Sequence, residues 1–102
     1  MAKLIVSTLP DRNAIAAFVA NSEGVPAVGL GLANFKVRRT LPGADGTLRT
    51  VAGVAPSRLR GFYVLDLATV GSQSRRKGLY IFDLMVENGE DRGQAPSSAI
   101  IT

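Results

Sequence analysis

The sequence predicts an all-β fold, an antiparallel β-sandwich of about seven short strands, and three observations carry that expectation. Helical periodicity is missing, because no window places apolar residues at i, i+3, i+4 and i+7 between capping residues. Short apolar or alternating runs recur instead, each bounded by turn residues. Glycine and proline, 11 and 5 of them, interrupt almost every stretch of ten residues.

Seven runs read as strands: Lys3–Ser7, Ala14–Ala20, Leu32–Arg39, Thr47–Val54, Gly61–Leu67, Gly78–Glu87 and Ser98–Thr102. Between the second and third lies "NSEGVPAVGLG" (Asn21–Gly31), whose glycines and proline break any helix or central strand. Gly24 and Gly29 permit backbone conformations closed to other residues, and Pro26 fixes φ between them. The segment reads as a rigid corner that passes the chain from one sheet to the other, with Leu30 as an anchor at the core edge.

In the third run, Ala33, Phe35 and Val37 fall on one face, and Asn34, Lys36 and Arg38 on the other. Asp45-Gly46 within "PGADGT" is a hairpin signal that joins the third run to the fourth. In the fifth, Gly61 lets Phe62-Tyr63 start tightly against a neighbour, with the Tyr63 hydroxyl reaching a polar rim. Tyr63, Leu65 and Leu67 share one face there, opposite Phe62, Val64 and Asp66. In the sixth, Tyr80, Phe82, Leu84 and Val86 share a face, and Asp83 points away. "ENGEDRGQAPS" is the longest polar segment and reads as a surface loop before a last short strand.

One buried and one wetter face per strand is the pattern of antiparallel sheets stacked on one another. Seven strands in about a hundred residues fit an immunoglobulin-like sandwich. A small, partly open β-barrel is the alternative.

The chain has 102 residues, which predicts one domain spanning 1–102. Cysteine is absent, so neither disulfides nor thiolate metal sites support the fold. With histidine absent too, no unperturbed side chain titrates between pH 5 and 8. The start, "MAKLIVSTLPD", is too short in apolar residues for a signal peptide, and no run approaches the ~18 residues of a membrane span. A soluble, unprocessed chain with no membrane partner is the expectation.

Catalytic patterns are missing. Asp66 and Asp83 each sit within a strand opposite the aromatic face, where they could neighbour one another across a sheet. Solvated carboxylates beside arginines are the preferred reading of both. The serines and threonines lack a partner base, and no G-x-S-x-G or S-x-x-K element is present. "ENGED" (Glu87–Asp91) offers calcium-type oxygens without the spacing of a calcium loop, and Arg92 adds opposing charge. The sequence therefore predicts a non-enzyme without a cofactor.

The net charge of +4 arises from 12 basic and 8 acidic residues. The cations fall in three groups, Lys36, Arg38 and Arg39, then Arg58 and Arg60, then Arg75, Arg76 and Lys77, and form a candidate docking rim. A solvated edge protected from sheet-to-sheet aggregation accounts for the same pattern. Nucleic acid ranks below both, because the aromatic residues fall on inferred core faces rather than on a stacking platform.

Three stretches carry a family resemblance. "FVANSEGVPAVGLG" is an apolar strand, a polar turn and then G-x-P-x-x-G-L; "LRGFYVLDLATV" holds a G-[FWY]-Y-x-L-x-L strand; "GLYIFDLMVENGEDRG" runs from a glycine-started strand into acidic residues. In this order they resemble the small immunoglobulin-like domains of tail-fibre, baseplate and other surface proteins of tailed bacteriophages. The resemblance covers Ala14 to Ile101, with Phe62 where tryptophan is common and a basic "SQSRRKG" turn as departures.

The resemblance implies a structural virion protein, either a capsid decoration protein or a tail or fibre adaptor. It would be made in the host cytoplasm and dock on capsid or tail proteins, as a homo-oligomer or bound to a lattice. Sheet edges, the basic rim and the terminal strand would supply the contacts, with Phe62 and Val64 as candidates for oligomer contacts. The alternative is a stand-alone module binding a glycan or another polymer, which Phe62 and Tyr80 side by side on an exposed face would favour.

Overall fold

A computed structural model describes residues 3–41, 48–67 and 78–102. Eight strands lie among them: β1 (Ile5–Asp11), β2 (Ala14–Ala20), β3 (Phe35–Leu41), β4 (Arg49–Thr50), β5 (Gly53–Pro56), β6 (Phe62–Asp66), β7 (Gly78–Asn88) and β8 (Asp91–Ile101). They form two antiparallel four-stranded sheets, ordered β1-β2-β6-β5 and β4-β3-β7-β8. This is the immunoglobulin-like strand order, with β4 added beside β3. The sandwich is therefore the fold.

Alternation along each strand builds the core. Ile15, Ala17 and Val19 of β2 and Tyr63 and Leu65 of β6 face inward from one sheet. Phe35 and Val37 of β3 and Tyr80, Phe82, Leu84 and Val86 of β7 meet them from the other. The Phe35 and Tyr63 rings touch across the gap, with centroids 5.4 Å apart. Each fully buried large side chain stabilises the sandwich by about 1.5–3 kcal/mol relative to exposure.

The structure corrects four readings of the sequence. Ala33 does not extend the inner face of β3, because Leu32–Asn34 form a 3₁₀ turn. There the Asn34 carboxamide accepts the Gly31 N–H (2.8 Å) and donates to the Glu87 carbonyl (2.7 Å), bonds that favour a turn over a strand. The run Thr47–Val54 is split: β4 pairs with β3 in one sheet, and β5 pairs with β6 in the other. Buried Val51 spans the crossing, so apolar content continues where strand pairing changes. Thr47 and the Asp45-Gly46 turn lie outside the described residues, although β3 and β4 do pair antiparallel as that hairpin requires.

The first strand runs on to Asp11 rather than ending at Ser7, paired with β2 along its whole length. "ENGEDRGQAPS" is no loop, because Asn88 pairs with Asp91 and only Gly89-Glu90 turn between β7 and an 11-residue β8. Gly89 takes φ 65°, as a two-residue hairpin turn requires at its first central position. Small inward residues, Ala95, Ser97 and Ala99, made β8 look polar in sequence.

One side of the sandwich is drawn together where β1 and β8 run side by side. Bridges join Lys3 with Arg92 and Arg12 with Ile100 in parallel sense. The Leu4 N–H donates to the Arg92 carbonyl (2.7 Å), the Asn13 N–H to the Ile100 carbonyl (2.8 Å), and the Thr8 hydroxyl to the Pro96 carbonyl (2.8 Å). Pro96 has no N–H to offer β1, so a continuous ladder, and with it a closed barrel wall, does not form. Asn13 ties this end shut, with its carboxamide bonded to the Thr102 N–H (3.1 Å) and hydroxyl (3.0 Å).

Gly93 lets the two strands approach. A Cβ there would meet the Leu4 carbonyl oxygen at 2.7 Å and the Leu4 and Val6 side chains at 2.8 Å. Gly93→Ala should therefore cost about 1–3 kcal/mol, as overpacking does. Thermal unfolding followed by circular dichroism should show a Tm lowered by roughly 4–8 °C per kcal/mol. An unchanged Tm would mean that β1 lifts away from β8 at no cost.

Candidate docking surface

The corner residues behave as their types demand. Gly24 and Gly29 both have positive φ (85° and 77°), and Pro26 bridges to Ala20 at the end of β2. The Asn21 side chain closes the first turn by accepting the Glu23 and Val25 N–H groups at 2.9 Å each. Gly61 (φ 81°) sits so close beneath that a Cβ would lie 2.8 Å from Pro26 and from the Val19 carbonyl. Leu30 is buried, as an anchor should be.

The Tyr63 hydroxyl does not reach a solvent rim. It points into the corner, donating to the Ala27 carbonyl (2.6 Å) and accepting the Leu30 N–H (3.3 Å). A side chain of β6 therefore fixes the passage of the chain from β2 in one sheet to β3 in the other. The asparagines at 13, 21 and 34 do comparable work in the connections at strand ends, and asparagine's preference for turns is the one sequence signal that marks them.

The candidate basic rim is divided. Lys36 and Arg38 stand on the outer face of β3, where Lys36 Nζ donates to the Thr50 hydroxyl (3.1 Å) and Arg38 pairs with Asp83 (3.3 Å). Arg39 is on the same strand at a register shift toward Leu41. Arg58 and Arg60 lie in the turn between β5 and β6 of the other sheet. Arg75, Arg76 and Lys77 lie outside the described residues. The Arg38–Asp83 pair is partly exposed and contributes at most about 1 kcal/mol.

Asp66 and Asp83 do not neighbour one another, since β6 and β7 belong to different sheets and both residues face outward. The Glu87–Asp91 segment forms the turn of the β7–β8 hairpin. Among the described residues no group of three or more acidic side chains is placed to hold a metal ion. Among them, too, no helix is long and apolar enough to cross a membrane. Phe62 and Tyr80 are not side by side: Tyr80 is 4% exposed beside Phe82, whereas Phe62 packs on Phe18 (4.9 Å) on the outer face of the other sheet.

The two outer faces differ in character. On β4-β3-β7-β8, Lys36, Arg38 and Asp83 stand near Met85, and a hollow of about 570 Å³ is lined by Lys3, Asp83, Met85, Glu87, Arg92 and Gln94. On β1-β2-β6-β5 the register sets Leu9, Ala16, Val64 and Ala55 in one row across all four strands. Ser7, Phe18 and Phe62 form the next row. Neither row holds a charge, Leu9 is 64% exposed, and Val64 is 38% exposed. Beside Leu9 a groove of about 330 Å³ runs between Ser7, Ala16 and the two phenylalanines. An apolar sheet face of this kind departs from the polar outer face of an ordinary solvated sheet.

The edges offer much less. β1, β5 and β8 each carry a proline (Pro10, Pro56 and Pro96), and β4 is only two residues long. Proline and brevity are the means by which edge strands resist pairing with other chains.

Comparison of the chain with protein-family models, with curated proteins and with solved structures gave no match.

Tyr63→Phe keeps the ring and its contact with Phe35 but leaves the buried Leu30 N–H and Ala27 carbonyl without the hydroxyl. The expected loss is about 1–3 kcal/mol in urea unfolding, with an unchanged slope. Hydrogen exchange at the Leu30 amide should speed up by more than at amides of β7. Equal exchange at Leu30 in both proteins would show that the hydroxyl does not hold the corner.

Proposed function

We propose that this chain is a non-enzymatic docking domain, a structural part of a repetitive assembly of the bacteriophage-particle kind that the sequence resemblance implies. Capsid decoration or adaptation of a tail or fibre both suit one compact β-sandwich whose work is to bind to its neighbours. Its place would be the virion, after synthesis in the host cytoplasm.

The observation that carries this reading is the uncharged apolar centre of the outer face of β1-β2-β6-β5. Water-facing sheets ordinarily alternate apolar-in and polar-out, so a sheet apolar on both sides calls for a partner on the second. The proline-bearing edges favour contact through faces over contact by strand addition. The opposite face, with Lys36, Arg38 and Asp83, remains free for a polar contact to a lattice.

Quantitative mass spectrometry of purified particles tests the reading by counting this chain against the main shell protein. Near-equimolar or simple-fraction abundance is the result expected of capsid decoration, and a few copies that of a tail or fibre adaptor. Absence from intact, gently purified particles would overturn the virion assignment.

A further inference from the structure

The outer face of β1-β2-β6-β5 is bounded by opposite charges at its two ends. At one end the register sets Asp11, Ala14, Asp66 and Gly53 in a row across the four strands, so two carboxylates stand at that margin with Arg12 beside them, a net negative end. At the other end Arg58 and Arg60 occupy the exposed turn into β6. Between them lie the two uncharged apolar rows.

We propose that a second copy of this chain covers this face, related by a two-fold axis that lies in the interface and runs across the strands. The inference rests on reading the face as a docking surface. Such an axis reverses strand direction from one copy to the next. The axis keeps each strand over its own counterpart, so the Arg58–Arg60 turn at the start of β6 in each copy stands over the Asp66 end of β6 in the other, twice per dimer, as an isologous interface demands.

Relief matches as well as charge. Tall and small side chains alternate within the rows, with Leu9 beside Ala16 and Ser7 beside Phe18. The Leu9 side chain protrudes next to the groove of about 330 Å³ floored by Ala16 and walled by Phe18 and Phe62. A knob and a hole on one face allow each copy to fill the other's groove, with side chains interdigitating as between stacked sheets.

Extent suits a weak dimer. Strands of seven, seven, five and four residues, at ~3.4 Å per residue and ~4.8 Å apart, make a face of roughly 380 Å² in plan. That is below the ~800 Å² per partner of a standard interface and fits an association that dissociates on dilution. The uncharged centre matters for a chain of net charge +4, because two copies can meet there without burying an unpaired cation.

Analytical ultracentrifugation of the full chain provides the test. At high micromolar concentration it should sediment as a dimer, twice the 10.7 kDa chain mass, and dissociate on dilution. Leu9→Glu, on an exposed edge-strand site, should give a monomer with unchanged circular dichroism. Should that variant fail to fold, Val64→Lys probes the same face.

Arg58→Glu with Arg60→Glu, and separately Asp66→Lys, should each weaken the dimer by about tenfold or more, since like charges then face each other at both margins. Mixing those two variants should restore a heterodimer, because every facing pair is opposite again. A wild-type chain that stays monomeric, a dimer indifferent to both Leu9→Glu and Val64→Lys, or a mixture that fails to pair would each overturn the proposal. A monomeric chain still found on particles would overturn it while leaving the particle assignment standing. A dimer absent from particles would support it and remove that assignment.

Discussion

The hydroxyl of Tyr63 is held between the Ala27 carbonyl and the Leu30 N–H, and the stacking of the two sheets depends on that grip. The chain leaves β2 in one sheet and must enter β3 in the other at a set height and angle. Backbone groups at such a crossing lie partly out of water and need partners, which a ladder cannot supply there. Tyr63 supplies them from inside the core, with its ring packed on Phe35 of the opposite sheet. Gly61, two residues earlier, removes the side chain that would collide with Pro26 and the Val19 carbonyl. Strand, corner and core are thereby fixed by one short segment of β6.

A second close approach sets the outline of the molecule. Gly93 admits Leu4 and Val6, so β1 lies against β8 and the sheets draw together on that side. The prolines at 10, 56 and 96 then leave the edges poor in free N–H groups. Blunted edges leave the two faces and the loops as the broad exposed surfaces of the sandwich. Those faces are chemically unlike, one carrying ions of both signs and the other apolar at its centre.

The sequence alone determined the fold class, the two-sheet arrangement and most of the core. Period-two alternation places Tyr63, Leu65 and Leu67, and likewise Tyr80, Phe82, Leu84 and Val86, on buried faces, and all of them are buried. The corner at Gly24, Pro26, Gly29 and Leu30 was legible for the same local reason, since φ preference belongs to the residue itself. Tertiary structure decided what local pattern cannot carry. The first part of β8 was read as loop because its inward residues are small, and β4 and β5 were merged because Val51 continues the apolar run through a change of sheet. Only strand pairing brought Leu9, Ala16, Val64 and Ala55 into one uncharged row, and set Asp11 and Asp66 at one margin with Arg58 and Arg60 at the other. Alternation says which residues share a face of their own strand, whereas the neighbours on that face are chosen by contacts far apart in the chain.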